Sequence, residues 1–298
     1  MQDRGEVFPS VEAKHKTREM GRVLGIDIGY SKRKKTTGVC LLSWNDSSIH
    51  VKFKNLPTDT QARRNALNNL IEREGTVCCA ALDAPIRGNF DVINEYRDAE
   101  KFLTRKLQKY VGKPGQASSG NGISLNISAN SFAQLLLDLE VVDRANHLAR
   151  IHEKCIVEAF PTSFLGVLLP KSNIPRPGSR SDIYFEQLLG PDSPRPEPLP
   201  SNVIVDLLSR LLPTRSLGTN LSAIFDHEER AAFVCAITAL CVVQRQYVAV
   251  GDKRNGYIIL PPLETKGAPG MQGWALDLIR GNAPQRNNSI IIEPGRLE

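Results

Sequence analysis

A carboxylate inside an apolar run constrains this chain more than any other feature. Arg22-Val-Leu-Gly-Ile-Asp-Ile-Gly29 reads as a short buried strand bounded by glycine, yet Asp27 stands between Ile26 and Ile28. A carboxylate taken out of water must be protonated, paired or bound to a cation. The pattern recurs. Val77-Cys-Cys-Ala-Ala-Leu82 is apolar throughout, as expected of a central strand covered on both faces, and it ends at Asp83-Ala-Pro85. Lys154–Phe160 is a third such run, interrupted by Glu158 and closed by Pro161.

The segments between these runs predict a layered α/β fold. Thr37–Ser43 and Ile49–Lys54 are strand-like and separated by the turn-rich Asn45-Asp-Ser-Ser48, which with the first run makes an antiparallel three-strand meander. Thr60 to Glu74 has helical spacing and Gly75 stops it. Val92 to Val111 and about Ser131 to His152 read as helices on either side of a glycine- and serine-rich loop, Gly112–Gly122. Between Pro170 and Pro200 lie eight of the 19 prolines, marking a loop-rich insertion around a short helix, Asp182–Leu189. Asn202–Leu212 follows as a helix. Asp226 to Tyr247 is the strongest helical segment, with an acidic start and the apolar run Ala231–Val243, and Gly256–Pro261 is a last strand. The expected layout is a flexible extension over 1–20, then a single domain over 21–298 with insertions at about 90–152 and 165–222.

Several classes of function find no support in the sequence. No run of about 18 apolar residues suggests a membrane span, and the polar start resembles no secretory signal, so a cytoplasmic protein is expected. The six cysteines form no CxxC pair and lie mostly in apolar runs, which predicts buried reduced thiols. Gly112–Gly122 matches neither GxGxxG nor GxxxxGK. The net charge of +6 favours anionic partners, nucleic acid among them. The basic run Lys32, Arg33, Lys34 and Lys35 is a candidate grip on a phosphate backbone, or equally a solvated turn.

In open α/β sheets ligands bind beyond the carboxyl ends of the strands, where Asp83 and Glu158 are expected and where Asp27 arrives if its strand is central. Two carboxylates about 4 Å apart repel by roughly 4 kcal/mol at an effective dielectric near 20, and a divalent cation removes that repulsion. All-oxygen donors favour Mg²⁺ or Mn²⁺ over zinc. Each acid also has a plainer reading. Asp83 can cap a turn, Glu158 can pair with an arginine, and Asp226 can be an N-cap with Glu229 as its capping-box partner. His227 is either a proton shuttle or a surface histidine.

Five blocks together carry a family resemblance. Gly25-Ile-Asp27-Ile-Gly29 with Thr36-Thr-Gly38, Ala81-Leu-Asp83-Ala-Pro85, Glu95-Tyr-Arg-Asp-Ala-Glu100, Glu158-Ala-Phe-Pro161 and Asp226-His-Glu-Glu-Arg-Ala-Ala resemble, in order, the family catalogued as domain of unknown function 429. The likeness spans roughly residues 22 to 262. It implies a ribonuclease-H-like fold, which the meander feeding a partly parallel sheet also suits, and metal-dependent nuclease chemistry. It would make Asp27, Asp83, Glu158 and a last-helix carboxylate, Asp226 or Glu229, the ligands of Mg²⁺ or Mn²⁺. The family often has Asp just before the alanine-rich run of that helix; here position 231 is Ala, so Asp226, Glu228 or Glu229 must substitute.

The expectation is hydrolysis of a phosphodiester in DNA or RNA. One alternative is a nucleic-acid or protein-binding protein that keeps the fold without turnover. Another is a small-molecule kinase of the sugar-kinase and actin superfamily, whose first phosphate loop Asp27-Ile-Gly29 with Gly38 also suits, although no second glycine-rich phosphate motif is visible.

Overall fold

The computed structural model describes residues 19–30, 37–71, 75–112, 114, 117–176, 180–192, 199, 201–282, 289–293 and 296–297. The extension over 1–18 and the run Lys32 to Lys35 lie outside them. One mixed sheet, ten strands among the described residues, organises the chain.

The meander forms as expected. β1 (Gly21–Asp27), β2 (Thr37–Trp44) and β3 (Ser48–Leu56) pair antiparallel, with Asp27 opposite Gly38. A two-residue strand, β6 (Ser216–Leu217), runs parallel along β3. On the other side of β1, the apolar runs build a parallel centre. β4 (Cys79–Leu82), β5 (Ile156–Ala159) and β8 (Gly256–Leu260) follow β1 in parallel register. Beyond β8 the sheet turns antiparallel through β7 (Tyr247–Asp252), β9 (Ser289–Glu293) and β10 (Arg296–Leu297). Residue patterning predicts no strand for these three. Tyr247 to Val250 continues the apolar stretch of the preceding helix, and the break is only Gln244-Arg245-Gln246, where Arg245 takes φ +51°.

α1 (Thr60–Ile71) flanks β3, and α7 (His227–Val243) crosses the centre of one sheet face. Gly25 permits that crossing: a Cβ there would lie 2.0 Å from the Ala232 carbonyl oxygen and 2.2 Å from the Ala236 nitrogen. Gly38 makes the same allowance a helical turn earlier, with the Glu228 carbonyl oxygen 2.8 Å from its hypothetical Cβ. Alternation along the strands sends Tyr247, Ala249, Tyr257 and Ile259 toward the core shared with α7. Val248, Val250, Ile258 and Leu260 point the other way, onto α2 (Asp98–Leu103) and α8 (Gly273–Asn282).

Two expected helices are corrected. Val92 to Val111 is helical only over α2; Ile93 is instead held by the Asn126 side chain, which accepts from its backbone N–H at 3.0 Å. The second helix is α3 (Gly120–Asp138), not Ser131 to His152. It starts inside the glycine-rich segment, where Ser119 caps it by accepting from the Gly122 N–H, and it stops before Glu140 at φ +52°. Glycine, serine and asparagine are weak helix formers, so burial of Ala129, Phe132, Ala133 and Leu136 carries this helix rather than propensity. Three more helices, α4 (Pro161–Gly166), α5 (Ser181–Leu188) and α6 (Val203–Leu211), fill the insertion; α4 was not foreseen. All six cysteines are free and buried. No described helix is long and apolar enough to cross a membrane.

Candidate active site

Register decides which acids meet. Ile26 on β1 is level with Leu82 on β4, and the Asp83 N–H extends the ladder by donating to the Ile26 carbonyl at 2.8 Å. Asp27 and Asp83 therefore occupy equivalent positions one step further, at the carboxyl edge. Both share the face of Gly25 and Ala81, the one α7 covers. The Cys235 thiol on α7 feels both: burial first, then the Asp83 and Asp27 charges, hold it well above the usual thiol range. Asp83 itself is pushed well up by burial, then by Asp27, then by Glu158. Both aspartates are partly accessible to solvent.

Glu158 faces the other way. It is level with Leu82, not with Asp83, so its side chain leaves the opposite side of the sheet. There Arg97, at the start of α2, grips it through two hydrogen bonds of 2.7 Å, Nη1 to Oε2 and Nη2 to Oε1. The Ile86 N–H donates to the same Oε2 at 3.1 Å. Arg97 also donates from Nε to Glu100 at 2.9 Å, and from Nη1 to the Asn255 carbonyl at 3.1 Å. All three charged side chains are buried. Burial opposes the Arg97 charge, but Glu158 and Glu100 outweigh it and hold the guanidinium protonated more firmly than usual. Burial pushes both carboxyls up against the pull of Arg97. The plainer reading of Glu158, pairing with an arginine, is the geometry found. Ala159, its neighbour in sequence, occupies the place on β5 level with Asp83.

Asp226 is exposed and caps α7, its Oδ1 accepting from the Glu228 N–H at 2.9 Å and the Glu229 N–H at 3.2 Å. Burial and then the Asp226 charge raise the Glu229 carboxyl. His227 is tied to Asp182 at 2.7 Å. Ala231 is buried. Among the described residues no three His, Cys, Asp or Glu side chains converge closely enough to hold a metal ion.

A cleft of about 330 Å³ opens at this edge, lined by Tyr30, Asp83, Arg97, Glu158 and Ala159 among others. Its far wall is the start of α3, where Ser119, Asn121 and Gly122 stand. Arg97, Glu100 and the α3 terminus were missed by sequence reasoning as members of a site. A buried glutamate in an apolar strand does call for a cation, but nothing in sequence selects Arg97 from the other arginines.

No family model, curated protein or solved structure matches this chain. The site therefore rests on its own geometry.

The donor chemistry fits a hard divalent ion. Asp27 and Asp83 offer oxygen donors only, and Mg²⁺ is commonly held by only one or two protein carboxylates, completing its shell with water and substrate phosphate. Asp27 and Asp83 meet that description; Glu158, engaged by Arg97, stands outside it.

Proposed function

We propose that this chain is a Mg²⁺- or Mn²⁺-dependent phosphodiester hydrolase of ribonuclease-H-like architecture, acting on nucleic acid. One observation carries the reading: Asp27 and Asp83 end neighbouring parallel strands on the same face, at the edge where a cleft opens, and the Asp27 charge helps push the Asp83 carboxyl up. The strand order supports the architecture, since an antiparallel meander feeds a parallel β1-β4-β5 centre with a long helix across it.

In this reading Asp27 and Asp83 hold the ion, which supplies a Lewis acid and lowers the pKa of bound water. Both residues are partly accessible, and Asp83 lines the cleft through which a phosphate group would approach. The N-terminus of α3 borders the cleft, a placement that suits an anionic group. Tyr30 at the cleft and Phe225 just before the α7 cap are 41% and 80% exposed, and offer faces for unpaired bases. Arg97 keeps Glu158 neutralised, so that only the two aspartates draw the cation.

The test is cleavage of labelled single- and double-stranded DNA and RNA in Mg²⁺ or Mn²⁺. Wild-type protein is expected to cut at least one substrate, and Asp27→Asn and Asp83→Asn to lose about a hundredfold or more while remaining folded. Undiminished cleavage by both variants removes the assignment. A second reading, a nucleic-acid-binding protein without turnover, is favoured by the Glu158–Arg97 pair and by Ala231, which leave two acids at the centre. It predicts strand binding with no metal-dependent cutting.

A further inference from the structure

A second cleft, of about 390 Å³, lies where the segment between α3 and β5 covers β7 and β8, and it shares no lining residue with the cleft beside Asp83. Three cations line it, Arg150, Arg245 and Lys253, against one carboxylate, Glu293. That carboxylate is buried and internally engaged, accepting from the Leu148 N–H at 3.4 Å with the Arg245 Nε at 3.8 Å. Arg150 and Lys253 are exposed and have neither ion-pair nor hydrogen-bond partner among the described residues. They come from separate elements, the loop before β5 and the β7–β8 turn, so the fold brings two uncompensated like charges to one cavity.

His147 belongs to the buried part of the lining. It is 7% exposed, lines the cleft, and packs edge-on against Tyr247 with ring centroids 6.1 Å apart. Its Nδ1 is buried without a hydrogen-bond partner among the described residues. The imidazole is engaged inside the protein, beside the Cys155 thiol. Leu148, half exposed, and Tyr257 supply an apolar wall.

We infer that this cleft binds the phosphate group of a small molecule, with Arg150 and Lys253 pairing its charge, and Leu148 and Tyr257 contacting the organic moiety. The formal excess of two positive charges suits a phosphate monoester dianion, and the volume lies in the range of small-molecule pockets. Nothing in this inference depends on the aspartate pair.

Calorimetric titration of the full chain with inorganic phosphate, AMP and adenosine tests it. Saturable binding of AMP, and more weakly of phosphate, is expected, with none of adenosine. The Arg150→Ala/Lys253→Ala variant, altered only at exposed positions, is expected to bind AMP about tenfold to a hundredfold more weakly. Asp83→Asn is expected to bind AMP as the wild type does, which keeps this result separate from any failure of the hydrolase reading. Equal binding of AMP and adenosine, or AMP affinity unchanged in the double variant, overturns the inference. So does binding of a ten-nucleotide single strand, lost in the double variant, with no binding of AMP or phosphate; the cleft would then track a nucleic-acid backbone.

Discussion

Asp83→Asn should stabilise the metal-free protein at neutral pH. Neighbouring strands lie about 4.8 Å apart, so carboxylates at level positions are separated by roughly 5 Å, and 332/(20 × 5) gives a repulsion of about 3 kcal/mol at an effective dielectric of 20. Side-chain splay and solvent access lower this, so a gain of about 1–3 kcal/mol is expected. The sign follows from the raised Asp83 carboxyl. Its folded pKa exceeds the unfolded value, so the stability contributed by its protonated form is complete below the unfolded pKa, near 3.8. That contribution is lost as pH rises through the folded pKa. The advantage of Asn over Asp should therefore be small near pH 3.5, grow through the acidic range and level off above the folded pKa. Urea denaturation in EDTA, followed by fluorescence of Trp44 and Trp274, reads it across pH. Added Mg²⁺ or Mn²⁺ should then stabilise wild type and not the variant. A variant less stable than wild type at pH 7 in EDTA, or a difference flat with pH, would refute the charge-repulsion argument.

Two substitutions probe the framework around the pair. Arg97→Met leaves Glu158 and Glu100 buried without their cation and should cost about 3–5 kcal/mol in urea denaturation, with some of it recovered when Glu158→Leu is added; a loss under 1 kcal/mol would show the fork to be dispensable. Gly25→Ala forces a methyl against the α7 backbone and should lose about 3 kcal/mol, whereas Gly281→Ala in α8, with nothing within 4 Å, should be neutral or gain up to about 1 kcal/mol.

Much of this arrangement was legible in the residues. The three apolar runs predicted β1, β4 and β5, and the meander followed from period-two segments around Asn45–Ser48. Boundaries failed where local signals conflict with packing. α3 grows from a glycine-rich stretch because its later turns are buried, and β7 hides behind an apolar helix because burial reads alike in both. At the site, the acids at the strand ends were identifiable, but their facing was not. Leu82 level with Glu158, rather than Asp83 level with it, is a fact of strand pairing, and no composition or spacing argument within β5 supplies it. Asp226 was ambiguous in sequence because a cap and a ligand want the same residue type; the Glu228 and Glu229 N–H groups resolve it as a cap.

The alternation of β5 confines its chemistry to a choice between two adjacent positions. With Glu at 158, the charge enters the far side of the sheet and obliges Arg97 and Glu100 to be buried with it. With an acid at 159 in place of alanine, the same strand would deliver a third oxygen donor beside Asp27 and Asp83, and Arg97 would have no reason to be inside. Neither half of that exchange is tolerable alone, since moving the acid without releasing the arginine strands a cation in the core. A chain of this design can therefore pass between a two-acid and a three-acid centre only by changing both faces of one strand together.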